Sequence, residues 1–348
     1  MNFLNLTISR SFMGPEKRFV MTCKNQISSP FFENEIQHPM AWKSCDLKTS
    51  DWRLTIPNSA LEELDNLIVF LRKNPTPIEV LEPEDFDLGA CAEFMKEVCH
   101  LISSRSGLAI LSRLPVEKFN ERELKQIYWV LSSMIARPVA QAFDGRLLYD
   151  VIDTGLKIGT RTRGDLTNQE LSWHTDYGFN FPPPFIGLLV INTATKGGVS
   201  RVASMLTAHN ILQKNYPNLL ERLYEPFWWN RQGEHPDGDI KIHSYPIFSS
   251  HEGKVRGRFI KWLLYKGYEL RGEPFDEVGQ EALETMFGIM SDPAHHVMFD
   301  LAPGEIQFMN NFTVAHSRTD YVDSKVAEKK RHLVRIFLRN TGRRSYMG

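Results

Sequence analysis

Apolar residues recur at helical spacing in three segments of the first half of the chain. Residues 59–74, SALEELDNLIVFLRKN, begin with a serine followed three positions later by an acid, which is a capping-box pattern, and a proline stops the run. Residues 87–107 and 121–136 repeat the helical periodicity, and the short apolar run 108–114 between them indicates a strand. We therefore expect helical support over about 59–136.

Beyond about residue 147 the pattern changes to short β-branched and aromatic runs separated by Gly, Pro and Asn. Many short strands with turn signals between them are typical of a sandwich or barrel rather than of alternating βαβ units. The pattern predicts an α+β fold with a mainly β, jelly-roll core over about 147–342, interrupted by helical inserts near 205–224 and 276–291. We expect one domain over 51–348, preceded by an N-terminal extension, residues 1–50, of undetermined structure.

Composition excludes several classes of protein. The 348 residues carry 41 basic and 42 acidic side chains, so no global field favours nucleic acid or an anionic membrane. The four cysteines form no C-x-x-C pair, and no run approaches the roughly 18 apolar residues of a membrane helix. We expect a cytoplasmic protein, with an organellar transit peptide as the alternative because the first thirty residues are poor in acid. A nucleotide-binding glycine loop and a G-x-S-x-G motif are both missing from the sequence.

One histidine and one aspartate lie two positions apart in LSWHTDYGFNFPPP. Residues i and i+2 of a strand face the same way, so His174 and Asp176 would converge on one point. A metal held for oxygen chemistry needs three facial protein ligands, so a second histidine is required. His235 and Asp237 repeat the H-x-D pattern among Gly and Pro, where a turn is expected. The motif alone therefore leaves a strand-edge ion pair open.

A later segment offers the missing histidine and an unusual strand. His316 begins an ordered stretch after EIQFMNN, and RHLVRIFLRN then alternates so that Arg331, Leu333, Arg335 and Phe337 share one strand face. Arginines inside a β core are costly unless they meet an anion, and a guanidinium is the natural bidentate partner of a carboxylate. A solvated β-face is the alternative.

Taken in order, WHTDYGFNFPPP, KGGVSR, NNFTVAHSR and KRHLVRIFLR resemble the motifs of the iron(II)- and 2-oxoglutarate-dependent dioxygenases. The closer details are similar to the taurine dioxygenase (TauD/TfdA) branch, which includes clavaminate-synthase-like enzymes, and the resemblance covers roughly 105–342. It implies a cupin-like double-stranded β-helix. It also implies that His174, Asp176 and His316 ligate Fe(II).

The same resemblance assigns three residues to the co-substrate. Arg331 matches the arginine that binds the distal carboxylate of 2-oxoglutarate, and Ser200 falls where a Thr or Ser hydrogen-bonds that carboxylate. Arg335 matches a position that supports the co-substrate or touches an anionic substrate group. Val199 departs from the acidic or polar residue that is common after the Gly-Gly pair.

The implied reaction oxidises an unactivated C–H bond of a small molecule, with 2-oxoglutarate and O₂ consumed and succinate and CO₂ released. Hydroxylation is expected first, with desaturation or ring formation as variants, and an anionic group on the substrate is one option. The sequence suggests five weaker substrate contacts, of which the last two lie in a glycine-containing stretch before the metal pair: Tyr149, Phe179, Asn180, Arg161 and Arg163. A homo-oligomer, a non-catalytic metal-binding sensor and a zinc hydrolase all stay open as alternatives.

Overall fold

A computed structural model describes residues 31–155 and 164–347. The helices are α1 Asn58–Lys73, α2 Gly89–Ser104, α3 Glu121–Ser133, α4 Met205–Asn215, α5 Pro217–Tyr224, α6 Lys261–Arg271 and α7 Glu277–Ser291. The strands are β1 Arg53–Leu54, β2 Leu108–Leu111, β3 Pro138–Val139, β4 Leu148–Ile152, β5 Leu171–His174, β6 Phe185–Asn192, β7 Lys196–Gly197, β8 Ser200–Ser204, β9 Phe227–Asn230, β10 Ile242–Tyr245, β11 Phe248–His251, β12 Lys254–Gly257, β13 His296–Phe299, β14 Ile306–Asn310, β15 Val314–Arg318, β16 Tyr321–Val322 and β17 His332–Leu338.

Two facing sheets form the core, and the predicted α+β fold with a β-rich core is confirmed. The larger sheet has the order β1-β2-β14-β6-β17-β3, with β4 also paired to β17, and the smaller has the order β13-β8-β15-β5. Side chains of β17 alternate as the sequence predicted. Val334 and Ile336 pack with the N-terminal helices, whereas Phe337 packs with residues of β8 and β15. The inward face of β17 therefore looks at the smaller sheet.

The three N-terminal helices and β2 are confirmed, but the start of α1 differs from the prediction. Helix α1 begins at Asn58 after Pro57, and no side chain caps it, so the predicted serine capping box is wrong. Proline's fixed φ, here −61°, preorganises the chain for the helix without a side-chain cap. Helix α3 has a capping box instead, in which Asn120 and Glu123 bond each other's backbone N–H groups.

The helical inserts are confirmed as α4, α5 and α7, whereas α6 was not predicted. Part of the N-terminal extension packs on the core: Trp42 is 2% exposed and donates its indole N–H to the Ser106 carbonyl at 2.7 Å. The first thirty residues of that extension lie outside the described residues. Within the described ranges, every helix is too short or too polar to cross a lipid bilayer.

Candidate metal centre

Strand register brings the two motif histidines together. Strand β5 pairs antiparallel with β15 so that His174 lies opposite His316, and the imidazole centroids are 4.1 Å apart. Strand β5 ends at His174, so Asp176 is not part of the extended strand that the sequence predicted. Asn311 holds its backbone instead, accepting from the Asp176 N–H at 2.7 Å and donating to its carbonyl at 2.9 Å. Tyr177 then turns the chain with a φ of 61°, a costly backbone conformation outside glycine.

His174, Asp176 and His316 each offer a ligand atom within 4.8 Å of the other two. The His174 Nδ1–H bonds the Ser172 carbonyl at 2.8 Å, which leaves Nε2 for a metal. Asp176 is buried, and its Oδ2 lies 3.8 Å from His316 Nε2 with no hydrogen-bond partner. A buried carboxylate oxygen without a partner costs free energy, and a cation at the focus would remove that cost.

Burial keeps both histidines in the form that binds metals. It lowers the pKa of His174, and it holds the pKa of His316 well below the usual range with help from the neighbouring His174 and Arg335. Both imidazoles are therefore neutral at pH 7 and have a free lone pair. Two nitrogens and one carboxylate oxygen on one face fit non-haem Fe(II), although the same donors also suit Zn²⁺.

Arg335 links this triad to a second carboxylate. Its Nη1 lies 2.9 Å from Asp176 Oδ1 and 3.0 Å from Asp165 Oδ2, and its Nε donates to Gln141 Oε1 at 2.9 Å. Arg335, Asp176 and Asp165 are all buried. Sequence reasoning missed Asp165 and Gln141, since neither lies in a recognisable motif. The role of Arg335 towards the co-substrate stays a prediction.

A cavity behind the triad contains the residues predicted for the co-substrate. Its lining includes Ser200, His316, Arg331 and Arg335. Burial and the nearby Arg318 guanidinium lower the pKa of Arg331 to about 10, and its Nη1 is buried without a hydrogen-bond partner. The guanidinium is thus placed to receive an anion, while its role towards 2-oxoglutarate stays a prediction.

The Gly-Gly pair of the KGGVSR motif has a geometric reason. Gly197 and Gly198 have φ values of 77° and 76°, in the left-handed region that favours glycine. A Cβ on Gly197 would collide with the Asp320 carbonyl oxygen, and one on Gly198 would lie 3.5 Å from Arg331 Nε. The glycines therefore allow the left-handed turn that leads into β8, which begins at Ser200, and Gly197 allows the close approach of Asp320.

A second cavity lies on the other side of the triad. The weaker substrate candidates do not all line it. Phe179 lines this cavity. Asn180 is 1% exposed and lies in a separate polar network, where its Oδ1 accepts from Arg231 Nε at 2.9 Å. The Tyr149 ring is covered by the Arg335 guanidinium, whose Cζ lies 4.9 Å from the ring centroid. The two arginines of the predicted substrate loop, Arg161 and Arg163, lie outside the described residues.

Another group of metal-ligand types lies away from these cavities. Glu121, Asp150 and His332 also bring ligand atoms within 4.8 Å of one another. The Lys125 ammonium is bound among them, 2.7 Å from Glu121 Oε1 and 2.8 Å from Asp150 Oδ1. A lysine cation therefore already satisfies this acidic group, in contrast to the triad.

Comparison with known proteins agrees with this geometry. The family model described as "Taurine catabolism dioxygenase TauD, TfdA family" matches residues 74–337. The FR-33289 synthase of Streptomyces rubellomurinus is 26% identical over 303 residues, which cover 85% of this chain and 88% of that protein. The taurine hydroxylase-like protein SAT17 of Stachybotrys chartarum is 25% identical over 268 residues, or 74% of this chain and 67% of that protein.

Solved structures share the fold at low sequence identity. An asparagine oxygenase in complex with Fe(II), 2S,3S-3-hydroxyasparagine and succinate superposes with a TM-score of 0.61 at 17% identity, covering 82% of this chain and 93% of that one. The non-heme iron oxygenase OrfP in complex with Fe, succinate and (3R,4R)-dihydroxy-L-Arg also gives 0.61, at 13% identity, covering 83% of this chain and 94% of that one.

Proposed function

The chain belongs to the TauD/TfdA family of Fe(II)- and 2-oxoglutarate-dependent dioxygenases, and we propose that His174, Asp176 and His316 hold the iron with which it hydroxylates a small organic molecule. One observation carries this proposal. The three donor groups converge around the buried, unpartnered Oδ2 of Asp176, directly beside a cavity lined by Arg331, whose Nη1 is also buried without a partner. These features support a metal centre with an anion site beside it.

When bound, the iron supplies the oxygen activation that couples 2-oxoglutarate decarboxylation to C–H hydroxylation. The chain's own residues supply position. Arg335 occupies Asp176 Oδ1, so Oδ2 is the carboxylate oxygen presented to the metal. The Ser172 carbonyl orients the His174 ring in the same way. Arg331 and Ser200 would bind the distal carboxylate of the co-substrate.

The second cavity is the candidate substrate site. Its volume is about 140 Å³, which favours a small substrate. Its apolar lining consists of Leu171, Trp173, Tyr177, Phe179, Ile260, Trp262 and Phe337. This lining favours a substrate with an apolar part, and it excludes water from around the C–H bond that reacts.

Polar groups at the same cavity narrow the substrate further. Arg335 is already paired with two carboxylates, and Lys261 Nζ lies 2.9 Å from Glu284 Oε2. By contrast, Asp165 Oδ1 is buried without a hydrogen-bond partner. A substrate carrying an N–H donor or a cationic nitrogen would satisfy that oxygen. The solved relatives in complex with amino-acid derivatives support this class, and an anionic substrate group stays a prediction.

The decisive experiment is anaerobic. Protein loaded with Fe(II) and 2-oxoglutarate should develop the weak visible metal-to-ligand charge-transfer band of a chelated keto acid, and admission of O₂ should release succinate. Zn(II)-loaded protein is the matched control, since it binds the same ligands without the band or the turnover. An iron-loaded protein that shows no band would refute the proposal. A band without succinate in the presence of candidate substrates would favour the sensor.

A further inference from the structure

Arg318 is a buried arginine that the sequence motifs leave without a role. It lies two residues after His316 on β15, so the two side chains share the strand face that looks into the core. The register with β8 pairs it directly with Ser200. Arg318 is 5% exposed and lines the co-substrate cavity together with Ser200 and Arg331.

Most of the Arg318 guanidinium lacks a partner. Its Nη2 donates to the Thr167 carbonyl at 3.1 Å and also to the Gln169 carbonyl. Its Nε and Nη1 are buried and make no hydrogen bond, and no carboxylate of the described residues lies within ion-pair distance of it. A buried cation with two unsatisfied donors is costly unless an anion completes it. The two carbonyl contacts use only Nη2. A purely structural role in holding residues 167–169 therefore does not explain why Nε and Nη1 are buried without partners.

Arg331 also has a buried nitrogen without a hydrogen-bond partner, and it lines the same cavity as Arg318. Its Nη1 is also buried and unpartnered, and both guanidiniums cover the ring of Tyr321, with Cζ at 4.5 Å from the centroid for Arg318 and 5.1 Å for Arg331. A carboxylate has about four lone-pair sites and can accept from two guanidiniums and a hydroxyl at once. The cavity thus contains a donor set for a single carboxylate.

We propose that Arg318 and Arg331 together bind the distal carboxylate of 2-oxoglutarate, with Arg318 as a second anchor that makes the site selective for a dicarboxylic keto acid. This inference rests on the proposed function. A second guanidinium beside Arg331 concentrates positive charge in this part of the cavity, so a keto acid that ends in a methyl group would leave both cations without an anionic partner.

The test compares two ligands that differ only at this end. Binding of 2-oxoglutarate and of 2-oxopentanoate, which has a methyl group in place of the distal carboxylate, is measured by calorimetry on Mn(II)-loaded protein. Arg318→Gln should lower the affinity for 2-oxoglutarate roughly 10- to 100-fold, the loss expected for a charged hydrogen-bonding partner. It should change the affinity for 2-oxopentanoate less than about threefold. The matched control is Arg339→Gln, because Arg339 is also buried and donates to backbone carbonyls but does not line the cavity. It should leave both affinities unchanged.

Other outcomes would overturn the inference. If Arg318→Gln lowers the affinity for both keto acids equally, Arg318 acts only by holding the chain at residues 167–169. If it changes neither affinity, Arg318 does not contact the co-substrate. Should Arg318→Gln fail to fold, Arg318→Lys keeps the positive charge but loses the bidentate guanidinium. A ratio of the two affinities equal to that of wild type in this variant would also refute the role. Wild-type protein that binds neither keto acid would instead refute the proposed function.

Discussion

Replacement of Arg335 by methionine tests whether the two carboxylates beside the metal site depend on one cation. Methionine is unbranched and apolar but shorter than arginine, so it should fill much of the space between the Tyr149 and Phe337 rings that flank the guanidinium. The substitution leaves Asp165 and Asp176 buried and close together with no positive partner in metal-free protein.

The expected loss is large because only one partner is removed. Breaking a buried ion pair from one side costs about 3–5 kcal/mol, since the remaining charge is stranded in a low-dielectric interior. Here two like charges remain. Asp165→Asn alone should cost much less, because Arg335 then keeps Asp176 as its partner. In the double variant Asp165→Asn/Arg335→Met only one charge is left, so we expect part of the loss to be recovered, by about 1–2 kcal/mol.

Equilibrium urea unfolding of the four proteins, without metal and in the presence of chelator, measures these differences through tryptophan fluorescence and far-UV circular dichroism. Mn(II) should then restore stability to Arg335→Met, because a divalent cation bound by Asp176 replaces the missing positive charge. A loss below about 1 kcal/mol for Arg335→Met, or a double variant no more stable than Arg335→Met, would show that water already satisfies these carboxylates.

Three further predictions concern the proposed ligand Asp176, the acidic group that binds Lys125, and the buried His209. Asp176→Ala should abolish iron-dependent succinate release while Asp237→Ala, in the second H-x-D sequence, leaves it intact; an anaerobic succinate assay started with O₂ compares them. Asp150→Ala should leave the iron content at that of wild type by elemental analysis, because the Lys125 ammonium already occupies the group to which Asp150 belongs. Burial lowers the pKa of His209 to about 4. Between pH 6.5 and 4 the unfolded chain therefore binds a proton at this histidine that the folded protein does not bind. Stability should therefore decline from pH 6.5 towards 4, and the decline should be shallower in His209→Gln, measured by urea unfolding at each pH.

Much of the fold and the triad could be predicted from local pattern. Strand periodicity placed Arg335 and Phe337 on the inward face of β17, where the structure has them. The H-x-D sequence alone was ambiguous, and its repeat at His235 lies in a turn region as expected. The later histidine resolved the ambiguity because the antiparallel register of β15 with β5 places His316 beside His174.

The remaining site residues could not be predicted because tertiary contacts alone place them. Asp165 lies on a short 3-10 turn with no periodicity, and Gln141 reaches Arg335 from a segment with no motif. Asn311 was visible within the NNF sequence, but its bonds to the Asp176 backbone follow from the fold alone. Helix α6 is weakly amphipathic and contains Gly267, so its sequence has little helical signal.

The two sheets contribute different charged residues to the candidate site. Arg335 lies on β17 of the larger sheet and Arg331 directly precedes that strand, whereas Arg318 and the histidines lie on the smaller sheet. In the described site, three guanidiniums face the two carboxylates of Asp165 and Asp176, and several donors and acceptors among them are unpaired. A divalent metal alone would add two positive charges to an interior that already has an excess of cations, whereas a dicarboxylate keto acid adds two negative ones. The buried charge therefore returns to its starting value only when both are bound, so each should favour the binding of the other.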